Sequence, residues 1–149
     1  MARPIPHGRA DYPHAREITT RWMDNDAYGH VNNVVYYSYF DTVVNDWLIR
    51  QGLLDVENGA IIGLVVETGC HYFESLTYPE TVTAAMRVAH VGNSSVRYEI
   101  ALFGEGRAQA AAQGHFVHVY VDRAKRRPAA RPEAWRRALA TRRAGEAEP

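Results

Sequence analysis

The longest apolar segment of the chain, residues 34–48, predicts a helix. Its sequence, VVYYSYFDTVVNDWL, contains neither Gly nor Pro, and apolar side chains recur every three or four residues. Asn32 or Asn33 is available as an N-cap, and Gly52 is a natural stop signal. Val and Tyr are indifferent helix formers, so burial must stabilise this helix. A buried strand is the alternative, but about fifteen residues without a turn signal are long for a strand.

The remaining pattern is mostly that of strands separated by turns. We predict strands at residues 16–22, 61–73, 81–91, 96–102 and 114–122, and a final helix at residues 133–143. Residues 1–13 contain three prolines and one glycine, which indicates a loose lead-in rather than a packed element. In the first strand, Ile18, Thr20 and Trp22 are expected to share one face.

This order of elements predicts an α+β fold in which the long helix lies against one face of an antiparallel sheet. The helix is apolar nearly all round, so something must cover it. A strongly curved sheet would do so, and a second copy of the chain could cover what remains exposed.

Length and composition exclude several classes of protein. At 149 residues the chain fits one domain, with a core at about 14–122 and a tail at 123–149. Cys70 is the only cysteine, so a disulfide scaffold is excluded. The N-terminus has no apolar signal region and no run is long enough to span a bilayer, so we expect a cytoplasmic protein without a membrane partner.

The charge is balanced overall but not locally. Lys plus Arg and Asp plus Glu both number 17, so a nucleic-acid partner is not expected. Basic side chains nevertheless crowd the C-terminal end, at Arg123, Lys125, Arg126, Arg127, Arg131, Arg136, Arg137, Arg142 and Arg143. We favour a solvated, partly helical tail over a contact for phosphates.

Residues 24–33, DNDAYGHVNN, are the strongest candidate for chemistry. Backbone N–H groups from Asn33 onward would lack intrahelical partners and lie at the positive end of the helix dipole. A carbonyl oxygen placed there would be polarised. Gly29 lets the loop turn so that the carboxylate of Asp26 can face the same point. Such an arrangement suits attack on an acyl group, with Asp26 as general base or nucleophile.

Plainer interpretations stay open for the same residues. Asp24 and Asp26 are also suited to capping turns, His30 to a hydrogen-bonded loop position, and Asn32 and Asn33 to helix capping. A metal site is not predicted, because the acidic segment lacks a fourth ligand at a recognisable spacing.

At these residues the chain resembles a known family. The pattern D-x-D-x-x-G-H-V-N-N, followed by V-x-Y-Y and a long helix, is similar to the 4-hydroxybenzoyl-CoA thioesterase-like branch of the hotdog-fold superfamily. The resemblance covers roughly residues 16–132. It includes the runs CHYFESLTYPE, VGNSSVRYE and YVD at residues 70–80, 91–99 and 120–122.

The resemblance implies a hotdog fold whose sheet wraps the central helix, and a homodimer or homotetramer with active sites at the subunit interface. It implies hydrolysis of an acyl-CoA thioester without a metal or redox cofactor. Asp26 matches the catalytic carboxylate, and the Asn33 amide matches the donor that polarises the thioester carbonyl. His30 matches a histidine proposed to participate in acyl-carrier-protein thioesterases.

Substrate contacts are expected on two segments. Tyr28 and Gly29 lie beside the candidate carboxylate. Some relatives carry basic residues on the hairpin that meets the CoA phosphates, whereas this hairpin reads Gly92, Asn93, Ser94, Ser95. Phosphates would then meet Arg97, turn N–H groups or the basic tail.

Two alternatives stay open because of this departure: a thioesterase acting on acyl carrier protein, and a non-catalytic module that binds acyl-CoA or a carrier. Enoyl-thioester hydration fits poorly, because the spacing from either aspartate to His30 differs from the five residues of that motif.

Overall fold

The computed structural model describes residues 3–144, with five strands and two α-helices. The strands are β1 (His14–Thr19), β2 (Ile61–Tyr72), β3 (Thr81–Val91), β4 (Ser95–Phe103) and β5 (Ala112–Asp122); the helices are α1 (Asn33–Arg50) and α2 (Glu133–Ala140). All strand pairs are antiparallel, in the order β1-β3-β4-β5-β2. The predicted α+β class is confirmed. The single domain over 1–149 stays a prediction, because residues 1, 2 and 145–149 lie outside the described part.

Both ends of α1 are fixed by local signals. The Asn32 side chain accepts a hydrogen bond from the Val34 N–H at 3.0 Å, so Asn32 is the N-cap. At the other end Gly52 adopts a φ of +73°, and Leu53 N–H returns to the carbonyl oxygen of Leu48 at 2.9 Å. These bonds satisfy carbonyl groups that the helix leaves free.

The core lies between α1 and one face of the sheet. The buried face of α1 consists of Tyr36, Tyr39, Phe40, Val43, Val44, Trp47 and Leu48. Alternate residues of β3 and β4 meet it: Val82, Ala84, Met86, Val88, Val96, Tyr98, Ile100 and Leu102. Polar Ser38, Asp41 and Thr42 are exposed on the opposite side of α1. The helix is therefore less apolar all round than its sequence suggested.

The prediction of a loose lead-in is wrong for residues 7–12; residues 1 and 2 lie outside the described part. His7 N–H donates to the Gln113 side chain at 2.8 Å, and the His7 carbonyl oxygen accepts from Ala110 N–H at 2.9 Å. Tyr12 is buried with Phe103 in a second apolar cluster on the outer face of the sheet. The prolines are compatible with this packing because the segment is held by loop hydrogen bonds and not by a strand ladder.

The first predicted strand is misplaced at both ends. The observed strand β1 begins at His14 and ends at Thr19, whereas the prediction was 16–22. Trp22 is the first residue of a 3-10 turn that ends at Asp24. Trp22 is 79% exposed, so it does not share a buried face with Ile18. The alternation of apolar and polar residues extends to Trp22, but the backbone leaves the sheet after Thr19.

The C-terminal segment contributes to the core beyond residue 122. Helix α2 is shorter than the predicted 133–143, and it buries Trp135 and Leu139. Val88 N–H donates to the carbonyl oxygen of Arg142 at 2.7 Å, so the chain returns to β3. Most of its basic side chains are exposed, but Arg131 is buried and donates to the carbonyl oxygen of Gly92.

Strand β2 is an edge strand with exposed apolar side chains. Leu64, Val65 and Val66 are 37%, 49% and 61% exposed. The unpaired N–H and C=O groups of such an edge can pair with a strand of another chain. Within residues 3–144 no helix is both long and apolar enough to span a membrane.

Candidate active site

The loop before α1 is folded back on itself like a small hairpin. Asp26 N–H donates to the carbonyl oxygen of His30 at 2.8 Å, and Asn32 N–H donates to the carbonyl oxygen of Asp24 at 2.9 Å. Gly29 makes the reversal with a φ of +80°, which only glycine adopts at no steric cost. The loop therefore brings the two ends of the acidic segment side by side.

The loop is also attached to the segment that follows β2. Val31 N–H donates to the carbonyl oxygen of Leu76 at 2.8 Å, and the Thr77 hydroxyl donates to the carbonyl oxygen of Gly29 at 2.7 Å. The Asn25 side chain accepts from Tyr78 N–H at 3.0 Å. These bonds fix the position of Asp26 relative to the end of the sheet.

The carboxylate of Asp26 performs a local role as well. Its Oδ1 accepts a hydrogen bond from Tyr28 N–H at 2.8 Å, so the turn-capping interpretation is correct for this residue. The other oxygen, Oδ2, makes no hydrogen bond with the described residues. One side of the carboxylate thus remains available for a ligand.

The first turn of α1 offers one unpaired donor. Asn32 accepts from Val34 N–H through its side chain at 3.0 Å and from Val35 N–H through its carbonyl at 2.9 Å. The Asn33 N–H makes no hydrogen bond with any residue in the described range. It is therefore the free donor at the positive end of the helix dipole.

A cleft of about 400 Å³ connects this donor with the carboxylate. It is lined by Asp26, His30, Val31, Asn33, Tyr36, Tyr72, Phe73, Glu74 and Ser75. The Tyr72 hydroxyl donates to the Asn33 carbonyl oxygen at 3.1 Å, and the rings of Tyr36 and Tyr72 lie 4.9 Å apart. Burial raises the pKa of both phenols, so they are neutral donors and acceptors at neutral pH.

A carboxylate and a helix N-terminal N–H on the same cleft match the arrangement expected for acyl transfer. Comparison with known proteins agrees with this chemistry. The model of the thioesterase-like superfamily matches residues 20–139. The chain belongs to this superfamily. The predicted family and the predicted class of enzyme, a thioester hydrolase, are thereby confirmed.

Two solved structures and one further protein sequence are similar to this chain. The crystal structure of the PA5185 protein from Pseudomonas aeruginosa strain PAO1 is 50% identical, with a TM-score of 0.92 over 95% of this chain and 99% of that one. A DHNA-CoA thioesterase from Staphylococcus aureus is 22% identical, with a TM-score of 0.76 over 85% of this chain and 87% of that one. The uncharacterized protein YsmA of Bacillus subtilis is 23% identical over 93 residues, or 62% of this chain and 63% of YsmA.

The fold brings together some of the predicted site residues of this thioesterase-like chain. Asp26, His30 and Asn33 all line the cleft. Gly29 forms the reversal of the loop, and Tyr28 is 86% exposed beside it without lining the cleft. Their roles stay predictions.

The predicted substrate-binding hairpin lies elsewhere in the chain. Gly92 and Ser94 lie in the turn between β3 and β4, and Ser95 is the first residue of β4. The turn is ten residues along β3 from the end that adjoins the cleft, a length of about 33 Å. Arg97 faces the outer side of the sheet, 3.5 Å from Glu67. Within one chain the turn is therefore at the opposite end of the sheet from the cleft, and Arg97 lies on the outer face.

Sequence reasoning missed Tyr72, Phe73, Glu74 and Ser75 as lining residues, which lay in a run noted only for its resemblance to relatives. For Tyr36, in the predicted helix, the sequence allowed a place in an acyl pocket or in the core and favoured the core; the residue is buried and also lines the cleft. No local signal shows that the end of β2 meets the start of α1, because that contact depends on the order of the strands in the sheet. In the described part of the chain, no group of three or more His, Cys, Asp or Glu is placed to hold a metal ion.

Proposed function

We propose that this chain hydrolyses an acyl-CoA thioester at the cleft between the 24–33 loop and the end of β2. The observation that carries the proposal is the pairing, on one cleft, of the Asp26 carboxylate with the unpaired Asn33 N–H. The first group can supply a base or nucleophile, and the second can stabilise the oxygen that becomes negative.

In the general-base form of the reaction, Asp26 takes a proton from water, and the hydroxide forms a bond to the thioester carbon. The carbonyl oxygen becomes negative and accepts the hydrogen bond of Asn33. Collapse of this intermediate breaks the carbon–sulfur bond. The CoA sulfur leaves with the proton held by Asp26, and the free acid is the other product.

In the nucleophilic form, an Asp26 oxygen attacks the thioester carbon directly and expels the CoA thiolate. Water then hydrolyses the resulting anhydride and regenerates the carboxylate. Label in Asp26 after a single turnover in ¹⁸O-labelled water establishes the nucleophilic form, because only attack of water on the aspartyl carbon of the anhydride places it there. Where water attacks the acyl carbon instead, rapid quenching and detection of acylated Asp26 establish this form.

His30 is the proposed helper in this cleft. Its side chain is exposed, and its carbonyl oxygen accepts from Asp26 N–H at 2.8 Å. This bond holds the backbone of Asp26, while the exposed His30 ring can contact the substrate. We expect His30→Gln to lower kcat/KM less than Asp26→Asn, because Asp26 supplies the reacting carboxylate.

We propose that the active unit is a dimer formed through the edge of β2. The exposed Leu64, Val65 and Val66 lie on the strand that lacks a neighbour on one side. If the β2 strands of two copies paired antiparallel, the end of one sheet that carries the β3–β4 turn would lie next to the end of the other sheet that carries the cleft. Gly92, Ser94, Ser95 and Arg97 would then serve the cleft of the other copy.

The basic residues that follow β5 favour a second candidate substrate, an acyl group carried by an acyl carrier protein. Arg123, Lys125, Arg126 and Arg127 are exposed at the hairpin end of the sheet. An acidic carrier protein and the phosphates of CoA both fit such a surface. Rates measured with the same acyl group on CoA and on acyl carrier protein decide between them.

The test compares Asp26→Asn with Asp55→Asn across a panel of acyl-CoA substrates. Asp55 is a matched control, because its Oδ1 also accepts backbone N–H bonds in a turn, at 3.1 and 3.0 Å from Glu57 and Asn58. We expect Asp26→Asn to lower kcat/KM by about 100-fold or more, and Asp55→Asn to change it less than twofold. Full activity in Asp26→Asn would overturn the role of this carboxylate.

A further inference from the structure

Asp24, which the proposed reaction does not use, is a buried carboxylate with three hydrogen bonds and one further ion-pair contact to Arg21. Its side chain is 1% exposed. Oδ2 accepts from Arg21 N–H at 2.9 Å and from the Tyr39 hydroxyl at 2.7 Å. Oδ1 accepts from Arg21 Nε at 3.0 Å and lies 2.9 Å from Arg21 Nη2. A buried charge is tolerated only when it is paired in this way.

The carboxylate is ionised at neutral pH. Burial by itself raises the pKa of Asp24, but the hydrogen bonds from Tyr39 and Arg21 outweigh burial, so the pKa lies below its usual value. Hydrogen bonds to an ionised acceptor are short and directional. The Asp24 side chain therefore has little freedom to move relative to Tyr39.

These bonds close a ring that runs from Asp24 through Tyr39 and α1 to Asn33 and back to Asp24. Tyr39 is on α1, six residues after Asn33, or about 9 Å along the helix axis. The carbonyl oxygen of Asp24 accepts from Asn32 N–H at 2.9 Å, directly before Asn33. Asp26 lies on the same arm of the loop, two residues after Asp24. The distance from Asp26 to the Asn33 N–H thus depends on where Asp24 is held.

We infer that Asp24 is a positioning residue, which through Tyr39 and Arg21 fixes the Asp26 carboxylate relative to the Asn33 N–H. The inference rests on the proposed thioester hydrolysis. Positioning of this kind acts on the transition state more than on substrate binding, because the reacting atoms must align only there. Its loss therefore lowers kcat and leaves KM nearly unchanged.

The test removes the Tyr39 hydroxyl by Tyr39→Phe and uses Tyr98→Phe as the matched control. Both tyrosines are buried, and both hydroxyls make a hydrogen bond of 2.7 Å, that of Tyr98 with Tyr120 in the core. We expect Tyr39→Phe to lower kcat about tenfold with KM within twofold of the original protein. Tyr98→Phe should leave both constants within twofold. Equal kcat values for the two variants would overturn the inference.

Hydrogen exchange of the 24–33 segment provides a readout that does not need activity. Exchange of the Asp26 and Asn32 N–H groups should accelerate at least fivefold in Tyr39→Phe and stay unchanged in Tyr98→Phe. If the original protein hydrolyses no acyl-CoA, accelerated exchange still supports the positioning role while the proposed function fails. Unchanged exchange in Tyr39→Phe overturns the positioning role whatever the activity.

A second variant covers the case in which Tyr39→Phe does not fold. Arg21 is 63% exposed, so Arg21→Gln removes two donors to Asp24 without disturbing the core. The same tenfold loss of kcat with unchanged KM is expected, and a kcat within twofold of the original protein contradicts the inference.

Discussion

The hydroxyl of Tyr72 donates a hydrogen bond to the backbone carbonyl oxygen of Asn33 across 3.1 Å. The end of β2 thereby holds the first residue of α1, whose N–H is the proposed oxyanion donor. We predict that Tyr72→Phe lowers kcat about fivefold, because a net hydrogen bond of about 1 kcal/mol is lost at the donor. Steady-state kinetics with one acyl-CoA measures this effect.

Tyr78→Phe is the control for this variant. Tyr78 is 37% exposed and Tyr72 is 38% exposed, but the Tyr78 hydroxyl makes no hydrogen bond with the described residues. Its removal should leave kcat unchanged. If Tyr78→Phe lowers kcat as much as Tyr72→Phe, loss of the bond to Asn33 is not the cause.

The cap of α1 gives a prediction for stability. Asn32→Ala removes the acceptor for Val34 N–H, so we expect the free energy of unfolding to fall by about 1 kcal/mol. For a chain of this length the melting temperature should fall by roughly 3 °C. Asn32→Asp keeps an acceptor oxygen and should melt within about 1 °C of the original protein. Equal melting of Ala and Asp variants would contradict the capping role.

Elements with local signals were predictable from the sequence. The sequence offered Asn32 or Asn33 as the N-cap of α1 and Gly52 as its stop, and in the structure Asn32 is the cap. The predicted 81–91 strand coincides with β3. Asp26, His30 and Asn33 could be grouped in advance because they lie within eight residues of one another. Their closeness depends on one turn at Gly29, which the sequence also indicates.

Contacts between distant segments were not predictable. Tyr12 is buried because Ala85 and Ala101 leave room on the outer face of β3 and β4. Small residues in a strand do not indicate which distant side chain packs on them. Tyr72 reaches Asn33 only because the order of strands places the end of β2 there. In both cases the decisive information lies in the topology and not in any local pattern.

Gly114 tests the close packing of β5 against β2 and α1. A Cβ at this position would overlap the carbonyl oxygen of Gly69 and approach Cε2 of Phe40 to 2.8 Å. Because a backbone oxygen cannot rotate away, we expect Gly114→Ala to lower the free energy of unfolding by about 3 kcal/mol. Urea unfolding measures this loss.

Gly8→Ala is the matched control for Gly114→Ala. A Cβ at residue 8 would make only ordinary contacts of 3.7 and 3.9 Å, and the backbone φ of −92° is acceptable to alanine. We expect a change within about 0.5 kcal/mol. Similar losses in both variants would show that glycine at 114 is not required by close approach.

His118 predicts how stability depends on pH. It is 3% exposed, and burial lowers its pKa from 6.5 to about 4. Above about pH 6.5 neither the folded nor the unfolded chain binds a proton there, so His118 does not affect stability. As the pH falls from about 6.5 to about 4, the unfolded chain binds a proton that the folded chain does not. The free energy of unfolding therefore decreases, by up to about 3 kcal/mol.

Urea unfolding at pH 7 and pH 4.5 of the original protein and of His118→Gln checks this prediction. Glutamine does not titrate, so its variant should lose less stability between the two pH values. His14, whose pKa is also lowered, chiefly by burial, is present in both proteins and contributes equally to their pH dependence. An identical loss in the two proteins would show that protonation of His118 in the unfolded chain is not what weakens the fold in acid.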